Sequence, residues 1–245
     1  MVLIIQSKLK KEAIMKTIGI IGAMEEEIEN IKPYIDIIST KNIVGLDFYM
    51  GKMGGNNVVL VRSGIGKVNA AVCSQVLIDL YAVDYIINVG VAGAINKDLK
   101  IGDVVIATDT MHHDMDTTYF GDDIGIIPRM EESAFKADNE LIEIALKSSY
   151  DVAENNNVVT GRIVSGDQFL CDIEKKNKIW SHFKASCVDM ESAAIGQACY
   201  LNKIPFCIIR SISDNSDEDN QYENFFRDSA IKASNILKDM INIID

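Results

Sequence analysis

Apolar positions along this chain alternate between short continuous runs and stripes at helical spacing. Thr17–Gly22 (TIGIIG) is a β-branched run too short for a helix, which predicts a buried strand. Met24–Ile31 follows at helical spacing and should stop before Pro33. Phe48–Lys52 and Asn57–Val61 flank Gly54, Gly55 and Asn56, the pattern of a hairpin. Val68–Leu80 puts Val72, Val76, Leu77 and Leu80 on one helical face. Tyr85–Val89 reads as a strand that ends in a Gly-rich turn, Gly90–Gly93. Further strands are predicted at Asp103–Ala107, Val158–Val164, Ser186–Val188 and Phe206–Ile212. Helices are predicted at Asp138–Leu146, Ile173–Trp180, Ser192–Leu201 and Tyr222–Ile244. Thr110–Phe135 is long, polar and irregular, as a functional loop or an interface element would be. Continuous apolar strands between amphipathic helices imply an α/β fold with a sheet covered on both faces. In such folds ligands bind where loops leave the carboxyl ends of the strands.

Composition narrows the partners. The chain has 245 residues, 48% of them hydrophobic, which is ample for one core. No repeat or Pro/Gly linker divides it, so a single domain is expected from residue 17 to 245. Residues 1–16 read as a flexible leader, and Met15 is an alternative start. Lys and Arg number 24 against 36 Asp and Glu, a net charge of -12. That balance disfavours nucleic acid and polybasic membrane contact, and favours a small-molecule ligand. No apolar run approaches the ~20 residues of a membrane span. Five cysteines without a C-x-x-C read as reduced thiols of a cytoplasmic protein.

Four motifs dissolve on inspection. Gly19–Gly22 lacks the third glycine of a dinucleotide site. Ser63–Val68 looks like a P-loop, but Val68 stands where Mg²⁺ needs a hydroxyl. His112, His113, Asp114 and Asp116 lack metal-ligand spacing, so no metal and no cofactor is expected. Asp214–Asp219 has no glycine where an EF-hand loop must turn.

Three acidic groups sit directly after predicted strands: Glu25-Glu26-Glu27, Asp189-Met190-Glu191, and Ser213-Asp214. First-turn acids also serve the helix dipole without any function. Three acids converging on one sheet edge are less ordinary. The stretch Ile18–Glu27 resembles the start of the bacterial 5′-methylthioadenosine/S-adenosylhomocysteine nucleosidases. Ser63–Val68, Asn88–Gly93, Ser165–Phe169, Met190–Ala193 and Arg210–Asp214 match in the same order. The resemblance implies the nucleoside phosphorylase/nucleosidase fold, one domain around a central mixed β-sheet flanked by helices, assembled as a homodimer.

The resemblance also implies roles. Asp214 would be the general acid to adenine, and Glu27 would activate water. Glu191 would hold the ribose hydroxyls, with the backbone of Met190 assisting. Phe169 would stack on the purine, the backbone of Leu170 would read its edge, and Ser213 would position Asp214. Val91, Ala92 and Gly93 would line the site, and Ile65 and Tyr222 the 5′-thio pocket. Phe120 and Pro128 would complete that pocket from a neighbouring subunit. The family pattern has Glu where this chain has Asp189, and Val91 replaces a serine found in some members. Bacterial hexameric phosphorylases carry arginine where this chain has Asn88, which points to water rather than phosphate as nucleophile. A phosphorylase, a futalosine hydrolase and a non-enzymatic nucleoside-binding module are the alternatives.

Overall fold

The computed structural model describes residues 15–150, 152, 156–214 and 221–244. Ten strands form one mixed sheet: β1 (Thr17–Gly22), β2 (Asp36–Ile43), β3 (Leu46–Met53), β4 (Asn56–Arg62), β5 (Tyr85–Ala94), β6 (Val104–His112), β7 (Phe135–Lys136), β8 (Val158–Ser165), β9 (Cys187–Asp189) and β10 (Phe206–Asp214). Strands β5, β9, β8, β6 and β10 pair in turn, and β10 pairs back to β5, closing a ring. From β5 the sheet continues outward through β1, β4, β3 and β2. The strands β1, β4, β5 and β10 run parallel, so their carboxyl ends share one edge.

Helices cover both faces because the strands are apolar on both. One face packs under α1 (Glu25–Ile28), α3 (Asn139–Ser149) and α6 (Gln221–Ile241), with Ile18, Ile20, Val89, Ile209, Leu141 and Leu237 in its core. The other packs under α2 (Lys67–Tyr81) and α5 (Ser192–Asn202), with Ile21, Val61, Cys73, Leu77, Ile195 and Ile208. The remaining helix, α4 (Ile173–Phe183), covers the ends of β8 and β9 through Ile179 and Phe183. It starts at Asp172, whose carboxylate accepts the backbone N–H of Glu174 at 2.8 Å.

The hairpin is formed as its sequence demands. Met53 pairs with Asn56, leaving Gly54 and Gly55 at φ 58° and 87° as a two-residue turn. Four expectations need correction. The first helix is one turn, Glu25–Ile28, followed by a 3-10 turn at Lys32–Tyr34 with Pro33 inside it. Ile28 and Ile31 are buried at its base, so packing rather than helix length satisfies that apolar spacing. Gly90–Gly93 is not a turn, because β5 continues to Ala94 by pairing with β10. Thr110–Phe135 is shorter as a loop, since Thr110, Met111 and His112 extend β6 beside β8. Strand β2 went unseen because it is an outer edge with most of its residues exposed.

The fourth correction concerns α2. It buries Ala70, Cys73, Ser74 and Leu77, while Val68, Val72 and Leu80 face out, Val68 at 74% exposure. Small side chains let α2 approach the sheet and α5, and the larger ones are left on the outside. All five cysteines are free thiols, four buried and Cys171 exposed. Among the described residues no helix is long and apolar enough to cross a membrane.

Candidate active site

A cavity of 360 Å³ opens at the shared carboxyl edge of β1, β4, β5 and β10. Its wall includes Glu27, Ile65, Val91, Ala92, Gly93, Phe169, Met190, Glu191, Ser213 and Asp214, ten of the residues expected from the sequence. Asp189, one of the acids expected at this edge, lines it too, as do Ala23, Met24 and Val188, for which the sequence predicts no role. Ala23 and Met24 follow β1 directly, so their place beside Glu27 was the available signal.

Only the third glutamate of the Glu25–Glu27 run turns inward. It stands at the third position of α1, from which a side chain can reach back to the helix start. Its Oε2 accepts the backbone N–H of Ala23 at 2.6 Å and of Met24 at 3.1 Å. Its Oε1 accepts that of Val91 at 3.1 Å, across to β5. Glu27 is 4% exposed, whereas Glu25 and Glu26 lie nearer solvent, 3.8 Å from Arg62 and 3.9 Å from Arg227. Burial raises the Glu27 pKa above the usual 4.5, against the opposing pull of Arg210 and three backbone N–H groups.

Two glycines make room for the acids. A Cβ at Gly90 would collide with the Glu27 carboxylate. A Cβ at Gly93 would stand 3.1 and 3.2 Å from the two Asp214 oxygens. The glycines read from sequence as a turn are strand residues whose missing side chains are replaced by carboxylates.

Behind the cavity lies a buried polar cluster. The guanidinium of Arg210 bonds Asp189 Oδ2 through Nε at 2.8 Å and Nη2 at 2.6 Å. Its Nη2 also donates to Asn88 Oδ1 at 2.5 Å. Asp189 further accepts the hydroxyls of Ser165, at 2.5 Å, and of Ser192. Asp189 is therefore fully engaged, with the Ser192 hydroxyl among its donors. Glu191, at the start of α5, accepts the Gly66 N–H at 2.8 Å and so ties that helix to the loop carrying Ile65. Burial first, and then the charge of Asp189, raise the Glu191 pKa well above 4.5.

Asp214 ends β10 and accepts Lys176 Nζ at 3.1 Å on Oδ1, with Ser213 Oγ 3.5 Å from Oδ2. Ile65 and Phe169 are half exposed at the cavity mouth rather than packed in the core. The side chain of Leu170 is buried beside Val164 and Ile179, outside the cavity wall, so any contact it makes with a ligand is through its backbone. Phe120, 80% exposed, and Pro128 lie on the surface and do not line the cavity of their own chain. The side chain of Tyr222 and residues 215–220 lie outside the described residues. The His112–Asp116 stretch holds the fold together instead. Asp114 binds Lys67 Nζ at 2.6 Å and the Asp167 N–H at 3.1 Å, and His112 meets Gln197 at 2.9 Å.

The chain is similar to known proteins over most of its length. Residues 17–242 match the model of the phosphorylase superfamily. A 5′-methylthioadenosine/S-adenosylhomocysteine nucleosidase of Tolumonas auensis is 39% identical over 227 residues, 91% of this chain and 98% of its own. The crystal structure of such a nucleosidase from Colwellia psychrerythraea, in complex with adenine, superposes with a TM-score of 0.89 at 36% identity, covering 94% of this chain and 96% of that one. Futalosine hydrolase of Helicobacter pylori gives 0.87 at 31% identity, covering 93% and 98%. The chain belongs to the phosphorylase superfamily and, within it, to the 5′-methylthioadenosine/S-adenosylhomocysteine nucleosidases.

Proposed function

We propose that this chain hydrolyses the N-glycosidic bond of 5′-methylthioadenosine and S-adenosylhomocysteine, releasing adenine and the 5′-thioribose product. One observation carries the reading: two buried carboxylates, Glu27 and Asp214, face one cavity, and the adjoining guanidinium of Arg210 is spent on Asp189 and Asn88.

Adenine leaves poorly as an anion. Asp214 gives a proton to purine N7 as the C1′–N9 electron pair moves into the base, worth about 10²–10⁴-fold. Its other oxygen meets the exocyclic amine. Glu27 takes the proton of a water that attacks C1′ from the opposite face, following the logic of inverting glycosidases. The cationic sugar of the transition state is favoured by the carboxylates around it. A phosphate nucleophile would instead bring negative charge to Glu27. An arginine at position 88, as in the hexameric phosphorylases, would face Arg210, which already donates to Asn88.

Glu191 holds the ribose hydroxyls with the Met190 backbone. Phe169 stacks on the purine over a floor of Val91, Ala92 and Gly93, and the Leu170 backbone reads the purine edge. Ser213 steadies Asp214, and Ile65 with Tyr222 receives the 5′-thio group. Phe120 and Pro128 complete that pocket from a second copy in a homodimer. The outward face of α2 and α5 supports the dimer. There Val68, Val72, Leu80 and Leu201 are exposed, and a second copy covering them would gain about 25 cal/mol per Å² of apolar surface buried. A cytoplasmic location fits the free thiols.

The test is adenine release from both nucleosides across pH. Both should yield adenine. Glu27 must be ionised to act, so kcat/KM should fall on acidification at a pH above 4.5, because its carboxyl is held protonated longer than an ordinary glutamate. Base release from futalosine alone would overturn the assignment.

A further inference from the structure

The described reaction leaves one buried cation unused. Lys176 belongs to α4, outside the cavity wall, and its ammonium reaches Asp214 Oδ1 at 3.1 Å. The two side chains are only 6% and 12% exposed. A buried ammonium is costly without a partner, so this contact is held rather than incidental. Because Lys176 approaches from outside the lining, a purine in the cavity does not have to displace it.

We infer that Lys176 is a positioning residue that fixes the polarity of Asp214, making Oδ1 the acceptor and Oδ2 the proton carrier, and so selects 6-aminopurines over 6-oxopurines. The inference rests on the proposed role of Asp214 as acid. An ammonium has three donor hydrogens and no acceptor, so a proton on Oδ1 would meet a donor head-on. The acid's proton therefore sits on Oδ2 and passes from there to N7 as the C1′–N9 bond breaks. Asp214 is left as a carboxylate whose charge is paired with Lys176 rather than stranded in the interior. Oδ1 remains an acceptor and suits an exocyclic amine. A 6-oxo group would present lone pairs to it, with no hydrogen between them. Both Asp214 oxygens lie over Gly93, where no side chain intervenes.

The experiment compares kcat/KM on methylthioadenosine and on its 6-oxo analogue methylthioinosine, for the parent, Lys176→Met and Lys176→Arg. The parent should prefer the 6-amino substrate. In Lys176→Met that preference should fall by about tenfold or more, the scale of a hydrogen bond to a charged group. Lys176→Arg keeps a cationic donor and should retain most of the preference. A merely structural role would lower both substrates together and leave their ratio unchanged. Where the methionine variant does not fold, Lys176→Gln replaces it and should lower the ratio by a smaller factor. An unchanged ratio in the folded neutral variant, or an equal loss in Lys176→Arg, would overturn the inference. Adenine release by the parent in the same assay reports separately on the proposed reaction.

Discussion

Asp214→Asn and Glu27→Gln should each lower adenine release by about 10³-fold, within the range of a general acid or base, while the purified chains remain folded. The two losses have different origins. Asparagine has no acidic proton for N7, and it leaves the Lys176 ammonium facing a neutral amide. Glutamine cannot take the proton of the attacking water. It also sets an amide N–H₂ against backbone N–H donors, because both Glu27 oxygens accept bonds from Ala23, Met24 or Val91. A modest drop in melting temperature is therefore expected for each, and turnover is compared below it. Near-normal turnover in either folded variant would remove that residue from the mechanism.

Gly90→Ala should lower kcat by about 10²-fold, the cost of displacing a reacting group by an ångström. The alanine methyl and the Glu27 carboxylate cannot occupy the same space, and β5 is pinned by pairing to β10 at this point, Gly90 opposite Arg210. The glutamate end is the movable part, and moving it breaks the bonds to Val91, Met24 and Ala23 that aim it. In the proposed reading substrate is held by Phe169 and Glu191 rather than by Glu27, the group the methyl meets, so KM should change far less than kcat. Wild-type kcat in Gly90→Ala would mean that Glu27 need not sit where the fold places it.

Much of this site is legible in sequence because its parts follow buried strands. Continuous apolar runs such as Phe206–Ile212 mark strands covered on both faces. Glu27 and Asp214, beyond β1 and at the end of β10, fall on one edge because both strands run parallel with β5, whereas Asp189 and Glu191 reach it from β9, which pairs antiparallel with the last residues of β5. What sequence leaves hidden is set by tertiary contact. The glycines at 90 and 93 look like a turn until the carboxylates that fill their side-chain space are known. The predicted stripe of α2 holds at Leu77 and Val76 but not at Val72 and Leu80, because apolar and small residues on more than one side leave a weak period, and packing selects Ala70, Cys73 and Ser74 for the inside. Strand β2 is an exposed edge and shows no buried face to detect. Lys176 is one lysine among several in α4, and nothing in their spacing distinguishes the one that reaches Asp214.

The identity of the nucleophile is the central claim, and the sugar product reports it. Methylthioadenosine is incubated with the purified protein, with and without inorganic phosphate, and the sugar is resolved chromatographically. Adenine should appear at the same rate in both, accompanied by free methylthioribose. Adenine released only with phosphate, together with the sugar 1-phosphate, would contradict it and make the chain a phosphorylase.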